Sequence, residues 1–233
     1  KEFQIIAANL DQAVLVASLV NPVTNTTFID RFLATAMAYN VPAVLVLNKT
    51  DLLTHPDDRD LLHAVAHLYR SIGYTTVATS TVNGHGIDRL RLLLKDKTSL
   101  LSGNSGVGKS SIINTLIPDA HLRVGDVSTA HHTGTHTTTF SEMLSLPFGG
   151  NIIDTPGIKG FGTIDFEHSQ VAHYFPEIFA ASKGCRFDNC THTHEPGCAV
   201  LRAVADSRIS QSRYAGYLSI LQEDTQEKYR KPF

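Results

Sequence analysis

The feature that most restricts the fold of this 233-residue chain is a phosphate-binding motif. Residues 103–110 read Gly-Asn-Ser-Gly-Val-Gly-Lys-Ser and match G-x-x-x-x-G-K-[ST] at every fixed position. The motif follows a short predicted strand, Ser99–Leu101, and opens a predicted helix, Ser111–Leu116. A strand, a glycine-rich loop and a helix in this order direct backbone N–H groups at phosphate oxygens. The motif therefore predicts a nucleotide-binding α/β domain.

Two side chains of this loop have predicted roles in chemistry. Lys109 would reach the β- and γ-phosphates, and the hydroxyl of Ser110 would hold Mg²⁺. A glycine-rich turn without a ligand is the alternative interpretation, and the strand–loop–helix context argues against it. The other predicted nucleotide-binding positions are Gly103, Asn104, Ser105, Gly106, Val107, Gly108 and Ser111.

A second motif, Asn48-Lys-Thr-Asp51, predicts that the base is guanine. The carboxylate of Asp51 can accept from the N1–H and the exocyclic amine of guanine, whereas adenine would leave it unpaired. Asn48 can bond to the base and tie this loop to the phosphate loop, and the stem of Lys49 can cover the purine face. The motif follows a predicted buried strand, Ala43–Leu47. A further base-contacting loop is expected at Ser80, Thr81 and Val82.

The segment Asp154-Thr-Pro-Gly157 fits the D-x-x-G element that senses the γ-phosphate. Asp154 would reach Mg²⁺ through water, and the N–H of Gly157 would meet the γ-phosphate, so hydrolysis would release the loop. The threonine-rich loop His136-Thr-Thr-Thr139 should supply another Mg²⁺-sensing hydroxyl, from either Thr137 or Thr138. A Pro-Gly turn after a strand is the alternative interpretation of residues 154–157.

The residue after Gly157 is Ile158, which cannot orient an attacking water as the glutamine of Ras-like enzymes does. Intrinsic hydrolysis is therefore expected to be slow, with the water oriented by another group. His136 is the candidate, because a neutral imidazole can orient water or accept its proton near neutral pH. An exposed loop histidine without a role is the alternative. The predicted catalytic positions are His136, Lys109 and Gly157.

Apolar runs alternate with helical periodicity up to about residue 117, which predicts βαβ units and a parallel sheet. The motifs occur in circularly permuted order, because the guanine motif precedes the phosphate loop, and compact domains with neighbouring termini permit this. We expect a GTPase domain over residues 1–160 and a zinc-binding, mainly helical domain over 161–233. Predicted strands are Ala13–Ser18, Ala43–Leu47, Thr76–Thr79, Ser99–Leu101 and Gly150–Asp154, and predicted helices are Asp30–Tyr39, Asp57–Ser71 and Ile87–Leu94.

The three cysteines of the chain lie in one short window, Cys185-x₄-Cys190-x-His192-x₅-Cys198. Three thiolates and one imidazole suit tetrahedral Zn²⁺, and a closed four-ligand site of this kind is structural rather than catalytic. His194 is an alternative nitrogen ligand, and buried thiols with bystander histidines are the other interpretation. Cysteines crowded in an odd number indicate a reducing compartment, which we take to be the cytoplasm.

The formal net charge of −2 gives no sign of a nucleic-acid partner, although a local basic patch can lie within a neutral total. No apolar run reaches the roughly 18 residues that span a bilayer, so no membrane partner is expected. The chain begins at Lys1 and soon enters a predicted buried strand, from which we expect that an N-terminal segment is missing.

The permuted motif order and the Cys/His cluster resemble the bacterial ribosome small-subunit-dependent GTPase A family, of the YjeQ/YloQ type. Its motifs match Gly103–Ser110, His136–Thr139 and Asp154–Gly157, and the resemblance extends from Ala8-Asn-Leu-Asp-Gln12 to Arg213-Tyr-x-x-Tyr217. It implies an α/β, circularly permuted P-loop GTPase domain with a C-terminal zinc-binding, mainly helical domain. It also implies the structural zinc ligands, which are Cys185, Cys190, His192 and Cys198.

The function implied by this resemblance is that of a late-stage assembly factor of the small ribosomal subunit. Such a GTPase hydrolyses GTP to GDP, is stimulated by the 30S subunit and binds 16S rRNA; we expect a monomer. The resemblance also implies an N-terminal OB-fold domain, which we expect to be absent from this chain, and Thr135 stands where the family often has arginine. Tyr214, Tyr217 and the basic tail at 228–231 are candidates for RNA contact, although a solvated helix end is the favoured interpretation of the tail.

Two other functions remain open from the sequence. Ile158 motivates a guanine-nucleotide-dependent binding switch with negligible hydrolysis. A permuted GTPase of the large-subunit assembly class is the second alternative, against which the zinc cluster argues.

Overall fold

The computed structural model describes residues 9–122, 142–154 and 166–229, without the side chains of residues 142 and 223–229. Contacts within the chain group it into two units. The first comprises Lys1–Thr24 and Val41–Gly162, and the second comprises Asn25–Asn40 and Thr163–Phe233. The domain limits expected from the sequence remain a prediction.

In the residues that the structure describes, the first unit is built on a six-stranded sheet, and each predicted strand is observed within about two residues of its predicted bounds. The strands are β1 (Gln12–Ser18), β2 (Ala43–Asn48), β3 (Thr75–Ala78), β4 (Thr98–Ser102), β5 (Glu142–Ser145) and β6 (Asn151–Asp154). Their order in the sheet is β3-β2-β1-β4-β6-β5. All neighbouring pairs are parallel except β5 and β6, which pair antiparallel at one edge. The predicted parallel sheet is thus confirmed.

The central strand β1 is buried at all seven positions, as expected of a strand inside a parallel sheet. Its one long polar side chain, Gln12, is satisfied because its amide donates to the Leu93 carbonyl at 2.8 Å and to the Ser99 hydroxyl at 2.9 Å. A continuous apolar run with its polar group paired therefore stabilises the middle of the sheet.

Seven α-helices occur in the described residues, and the three helices predicted from periodicity are among them. The helix α1 begins four residues before its predicted start at Asp30, because Asn25 caps it by accepting from the N–H of Thr27. Pro56 lies at the start of α2, where its missing N–H costs nothing. The helices are α1 (Thr26–Ala38), α2 (Pro56–Ser71), α3 (Ile87–Leu94), α4 (Lys109–Leu116), α5 (Pro176–Ser182), α6 (Ala199–Ala205) and α7 (Gln211–Tyr229).

The described part of the second unit consists of α1, α5, α6 and α7, with a short 3-10 helix at Val171–Tyr174. Its apolar core includes Phe175, Ile178, Val200 and Ile220. None of the described helices is long and apolar enough to cross a membrane.

Candidate functional site

The phosphate loop needs glycine at two of its positions. A Cβ on Gly103 would lie 2.3 Å from the carbonyl oxygen of Val16, and one on Gly108 would lie 2.4 Å from Nδ2 of Asn48. Gly108 also has φ of +96°, a conformation that favours glycine. The loop therefore passes too close to its neighbours for any side chain at these points, as a backbone cradle for phosphate requires.

The parallel sheet brings the predicted motifs to one edge. Asn48 at the end of β2 is in register with Ser18 at the end of β1. Asp154 at the end of β6 is in register with Leu101 of β4, just before the phosphate loop. Ligands of open α/β sheets bind outside the carboxyl ends of the strands, and the guanine motif, the phosphate loop and Asp154 all begin there.

One side chain ties the guanine motif to the phosphate loop. Asn48 is 4% exposed, and its Nδ2 donates to the carbonyl of Val107 at 2.9 Å. Its Oδ1 accepts from the hydroxyl of Thr79 at 3.0 Å. These two bonds fix the orientation of the amide and the spacing between the two loops. The tie was predicted from the sequence, whereas the role of Thr79 was not.

Asp51 is held by Ser80, whose hydroxyl donates to Oδ1 of Asp51 at 2.5 Å. Ser80 is fully buried and its Oγ also accepts from the N–H of Val82 at 3.2 Å. Its side chain thus acts on the carboxylate that would read guanine, rather than being exposed as a base contact. Thr81 is half-buried, and Val82 is 80% exposed. Asp51 and Ser80 are 29 positions apart, and no local sequence pattern links residues at that distance, so the sequence does not predict this hydrogen bond.

Lys49 adopts the left-handed conformation, with φ of +64°, at the start of a 3-10 helix over Thr50–Leu52. Its ammonium donates to the carbonyl of Asn21 at 2.6 Å. A Cβ on Gly108 would lie 3.9 Å from Cε of Lys49, so the lysine stem runs beside the phosphate loop. An apolar stem in this position can cover one face of a bound base.

Lys109 lies inside the loop, where its ammonium donates to the carbonyl of Gly103 at 2.7 Å. Burial lowers its pKa, and the nearby carboxylate of Asp154 opposes that shift. Ser110 follows at the second position of α4. A hydroxyl and a carboxylate are hard oxygen donors of the kind that Mg²⁺ prefers, so Ser110 and Asp154 fit that ion. The predicted positions His136, Thr137, Thr138 and Gly157 lie outside the described residues.

The Cys/His cluster is brought together in the second unit. The ligand atoms of Cys185, Cys190, His192 and Cys198 all lie within 4.8 Å of one another. Nδ1 of His192 is 3.6 Å from Sγ of Cys185 and 3.5 Å from Sγ of Cys198, and those two sulfurs are 3.9 Å apart. A tetrahedron with Zn–S bonds of about 2.3 Å has edges of about 3.8 Å, so the donor set fits zinc.

The alternative nitrogen, on His194, is not part of this group. His194 is exposed, and its Nδ1 lies 2.8 Å from the hydroxyl of Thr193. Burial lowers the pKa of His192, which keeps its imidazole neutral and able to bind a metal. Burial also raises the pKa of the Cys190 thiol to about 12, and a bound cation would favour its thiolate. All three cysteines are free of disulfides.

Two tyrosines of α7 contact the loop that carries His192. The hydroxyl of Tyr214 donates to the carbonyl of His192 at 2.7 Å, and that of Tyr217 to the carbonyl of Thr191 at 2.9 Å. Tyr217 is 1% exposed, so the expectation that its ring touches RNA does not agree with its burial. The side chains of the basic tail lie outside the described residues.

Comparison with known proteins decides the family. The family model described as RsgA GTPase matches residues 1–164. The chain is 57% identical over its whole length to "Small ribosomal subunit biogenesis GTPase RsgA" of Porphyromonas gingivalis, of which it covers 75%. It is 50% identical to the protein of the same name in Bacteroides fragilis, again covering 75% of that protein. The chain belongs to the RsgA GTPase family.

Solved structures of the family confirm the permuted fold. YjeQ from Thermotoga maritima matches with a TM-score of 0.79 at 36% identity, over 93% of this chain and 72% of that one. YloQ, described as a circularly permuted GTPase, matches with a TM-score of 0.76 at 34% identity, over 97% of this chain and 70% of that one. The chain is therefore a GTPase of permuted α/β fold, as predicted.

Proposed function

We propose that this GTPase is a late-stage assembly factor of the small ribosomal subunit, stimulated by the 30S particle and binding 16S rRNA. The names of its RsgA relatives, which are small ribosomal subunit biogenesis GTPases, support this assignment. Such a protein works in the cytoplasm, and we expect it to act as a monomer that alternates between GTP and GDP.

The main structural support for guanine-nucleotide binding is the hydrogen bond from Asn48 to the carbonyl of Val107. It links the loop that would read the base to the loop that would hold the phosphates, at a fixed spacing. Asp51, oriented by Ser80, offers its carboxylate to the two donors of a guanine edge. A site built in this way selects a guanine nucleotide over an adenine nucleotide.

At the phosphates, the backbone N–H groups of residues 103–110 and the start of α4 provide positive potential. Lys109 exchanges its bond to the Gly103 carbonyl for the β- and γ-phosphate oxygens, which places a cation where charge develops during hydrolysis. Mg²⁺, held by Ser110 and Asp154, would supply charge neutralisation at the same oxygens.

We assign to His136 the orientation of the attacking water. The N–H of Gly157 is assigned a hydrogen bond to the γ-phosphate. His136 carries an acceptor nitrogen when neutral, which can receive the proton of the water. Ile158 has no polar group for that task. Thr137 and Thr138 remain the two candidates for the Mg²⁺-sensing hydroxyl.

We assign one structural Zn²⁺ to Cys185, Cys190, His192 and Cys198. The support is the spacing of their ligand atoms, which corresponds to the edges of a tetrahedral site. Four protein ligands complete the tetrahedron, so the ion would stabilise the second unit and take no part in hydrolysis.

The test is phosphate release from GTP by the full chain alone, with purified 30S subunits and with 50S subunits. We expect 30S subunits to stimulate phosphate release strongly and 50S subunits to leave it unchanged. Stimulation by 50S alone would favour the large-subunit class, and binding of 30S without turnover would favour a switch with negligible hydrolysis. Lys109→Ala is the control for contaminating hydrolases, because it removes the phosphate-binding cation.

A further inference from the structure

One carboxylate holds the loop that carries His192. Oε1 of Glu195 accepts from the N–H and the hydroxyl of Thr191, at 2.6 and 2.5 Å. Oε2 accepts from the N–H groups of Thr193 and His194, at 3.1 and 3.2 Å. All four groups are hydrogen-bond donors, and an ionised carboxylate can accept from each of them because both of its oxygens are acceptors. A carboxamide would instead turn its own NH₂ donor toward some of them.

A second set of contacts fixes the carbonyl groups of the same loop. Tyr214 and Tyr217 donate to the carbonyls of His192 and Thr191, as described above. The ring of Tyr217 also packs near the imidazole of His192, with 6.2 Å between centroids. Two tyrosines on one face of α7, three residues apart, therefore hold the backbone of this loop.

The backbone of His192 needs such support. Its φ is +57°, in the left-handed region that costs a non-glycine residue free energy. With the backbone in this conformation, Nδ1 of His192 lies within 3.6 Å of the sulfurs of Cys185 and Cys198. A loop released from its hydrogen bonds would relax toward ordinary backbone angles and carry the imidazole away from the sulfurs.

We propose that Glu195 is a positioning residue for the metal ion, acting with Tyr214 and Tyr217 to direct Nδ1 of His192 at the thiolates. This inference rests on the zinc site proposed above. Attraction between charges does not explain the position of Glu195. The negative charge of three thiolates already exceeds the positive charge of a divalent cation, so a further carboxylate is not needed for charge balance. Its four hydrogen bonds explain it instead, and hydrogen bonds to the groups around a ligand commonly govern metal affinity.

The experiment measures zinc affinity of the full chain by competition with a chelator of known affinity. Glu195→Gln and Tyr214→Phe are each expected to weaken zinc binding roughly tenfold or more. The matched controls are Glu167→Gln, at an exposed carboxylate, and Tyr174→Phe, whose hydroxyl bonds to Gln170 rather than to the loop. Both controls should bind zinc as the wild type does.

Circular dichroism of the metal-free variants should match that of the metal-free wild type, so that a loss of zinc affinity is separated from a loss of fold, and a rise in zinc concentration should restore full metal content to both variants. Unchanged affinity in both variants would overturn the positioning role while leaving the metal site intact. A wild-type chain that binds no zinc would overturn the metal site itself. If Glu195→Gln fails to fold, Tyr214→Phe decides the question, because it removes one oxygen from a half-buried ring.

Discussion

At the scale of single residues, guanine selectivity depends on how the carboxylate of Asp51 is held. The hydroxyl of Ser80 donates to it at 2.5 Å from a fully buried position. A hydrogen bond to an ionised group contributes about 1.5–3 kcal/mol, which makes Ser80 as relevant to selectivity as a direct base contact.

Ser80→Ala should therefore weaken GDP binding roughly tenfold, because the carboxylate loses the partner that orients it. ATP binding, which does not use this carboxylate, should stay as weak as before, so the preference for guanine falls. Titration with GDP and with ATP measures the ratio of the two affinities. Ser71→Ala is the control, since its exposed hydroxyl donates to the carbonyl of Leu68 within α2, away from the guanine motif. If the ratio of GDP to ATP affinity were unchanged in Ser80→Ala, the carboxylate of Asp51 would keep its orientation without the hydroxyl of Ser80.

His136 gives a second prediction at this scale. His136→Ala should lower 30S-stimulated turnover by about 10²–10⁴-fold, the usual contribution of general acid–base catalysis, and leave GTP affinity near wild type. Single-turnover phosphate release and nucleotide titration separate the two quantities. A parallel fall in affinity would indicate a binding role instead.

At the scale of elements, the phosphate loop and the guanine loop pack closely against each other. A Cβ at Gly108 would lie 2.4 Å from Nδ2 of Asn48, the atom that bonds to Val107. The two loops can therefore keep their spacing only if this position has no side chain.

Gly108→Ala should abolish measurable nucleotide binding, because Asn48 must move and its bond to the phosphate loop is lost. Gly73→Ala is the matched control: its φ of +100° is similar, but no atom of the described residues lies within 4 Å of the added Cβ. It should cost only the conformational strain, about 1–2 kcal/mol of unfolding free energy, and leave binding unchanged. Calorimetric titration and thermal unfolding measure both effects. Equal loss of binding in the two variants would refute the steric explanation.

At the scale of the whole molecule, a buried ion-pair group connects distant parts of the chain. Arg213 on α7 donates to Asp30 of α1 at 2.7 Å and to Glu177 of α5 at 2.6 Å. Its guanidinium lies 4.5 Å from the ring centroid of Phe175, and the side chains of Arg213 and Asp30 are at most 1% exposed. Burial acts to lower the pKa of Arg213, but the carboxylates of Asp30 and Glu177 together raise it above its ordinary value, so the guanidinium stays charged at any pH at which the protein folds.

Arg213→Met should lower the free energy of unfolding by about 3–5 kcal/mol, because it leaves two carboxylates buried without their cation. Arg208→Met, which breaks an exposed pair with Asp206, should cost less than about 1 kcal/mol. Denaturant unfolding of both variants measures the difference. Similar small losses would mean that water reaches Asp30 and Glu177 once the arginine is gone.

Most of the fold could be predicted from the sequence. The buried strands follow from continuous apolar runs, as in β1, and α3 has the bounds that its periodicity predicted. The start of α1 was placed too late because Asn25 acts through a cap rather than through apolar spacing. The candidate site was placed by motifs whose residue types match phosphate, guanine and zinc chemistry.

The contacts that position those residues could not be predicted. Ser80 meets Asp51 across 29 residues, Arg213 meets Asp30 across 183, and Tyr217 meets the carbonyl of Thr191 across 26. Such pairs leave no periodicity or spacing in the sequence, because they arise only when separate elements pack.

The ligand chemistry and the permuted order of the motifs can be read from the amino-acid sequence, since both reside in short segments whose residue types must suit a ligand. The side chains that hold those groups in place became known from the folded chain: Ser80 for Asp51, Glu195 for the loop of His192, and Arg213 for Asp30. A hydrogen bond depends on distance and direction in space, whereas a sequence records only order along the chain.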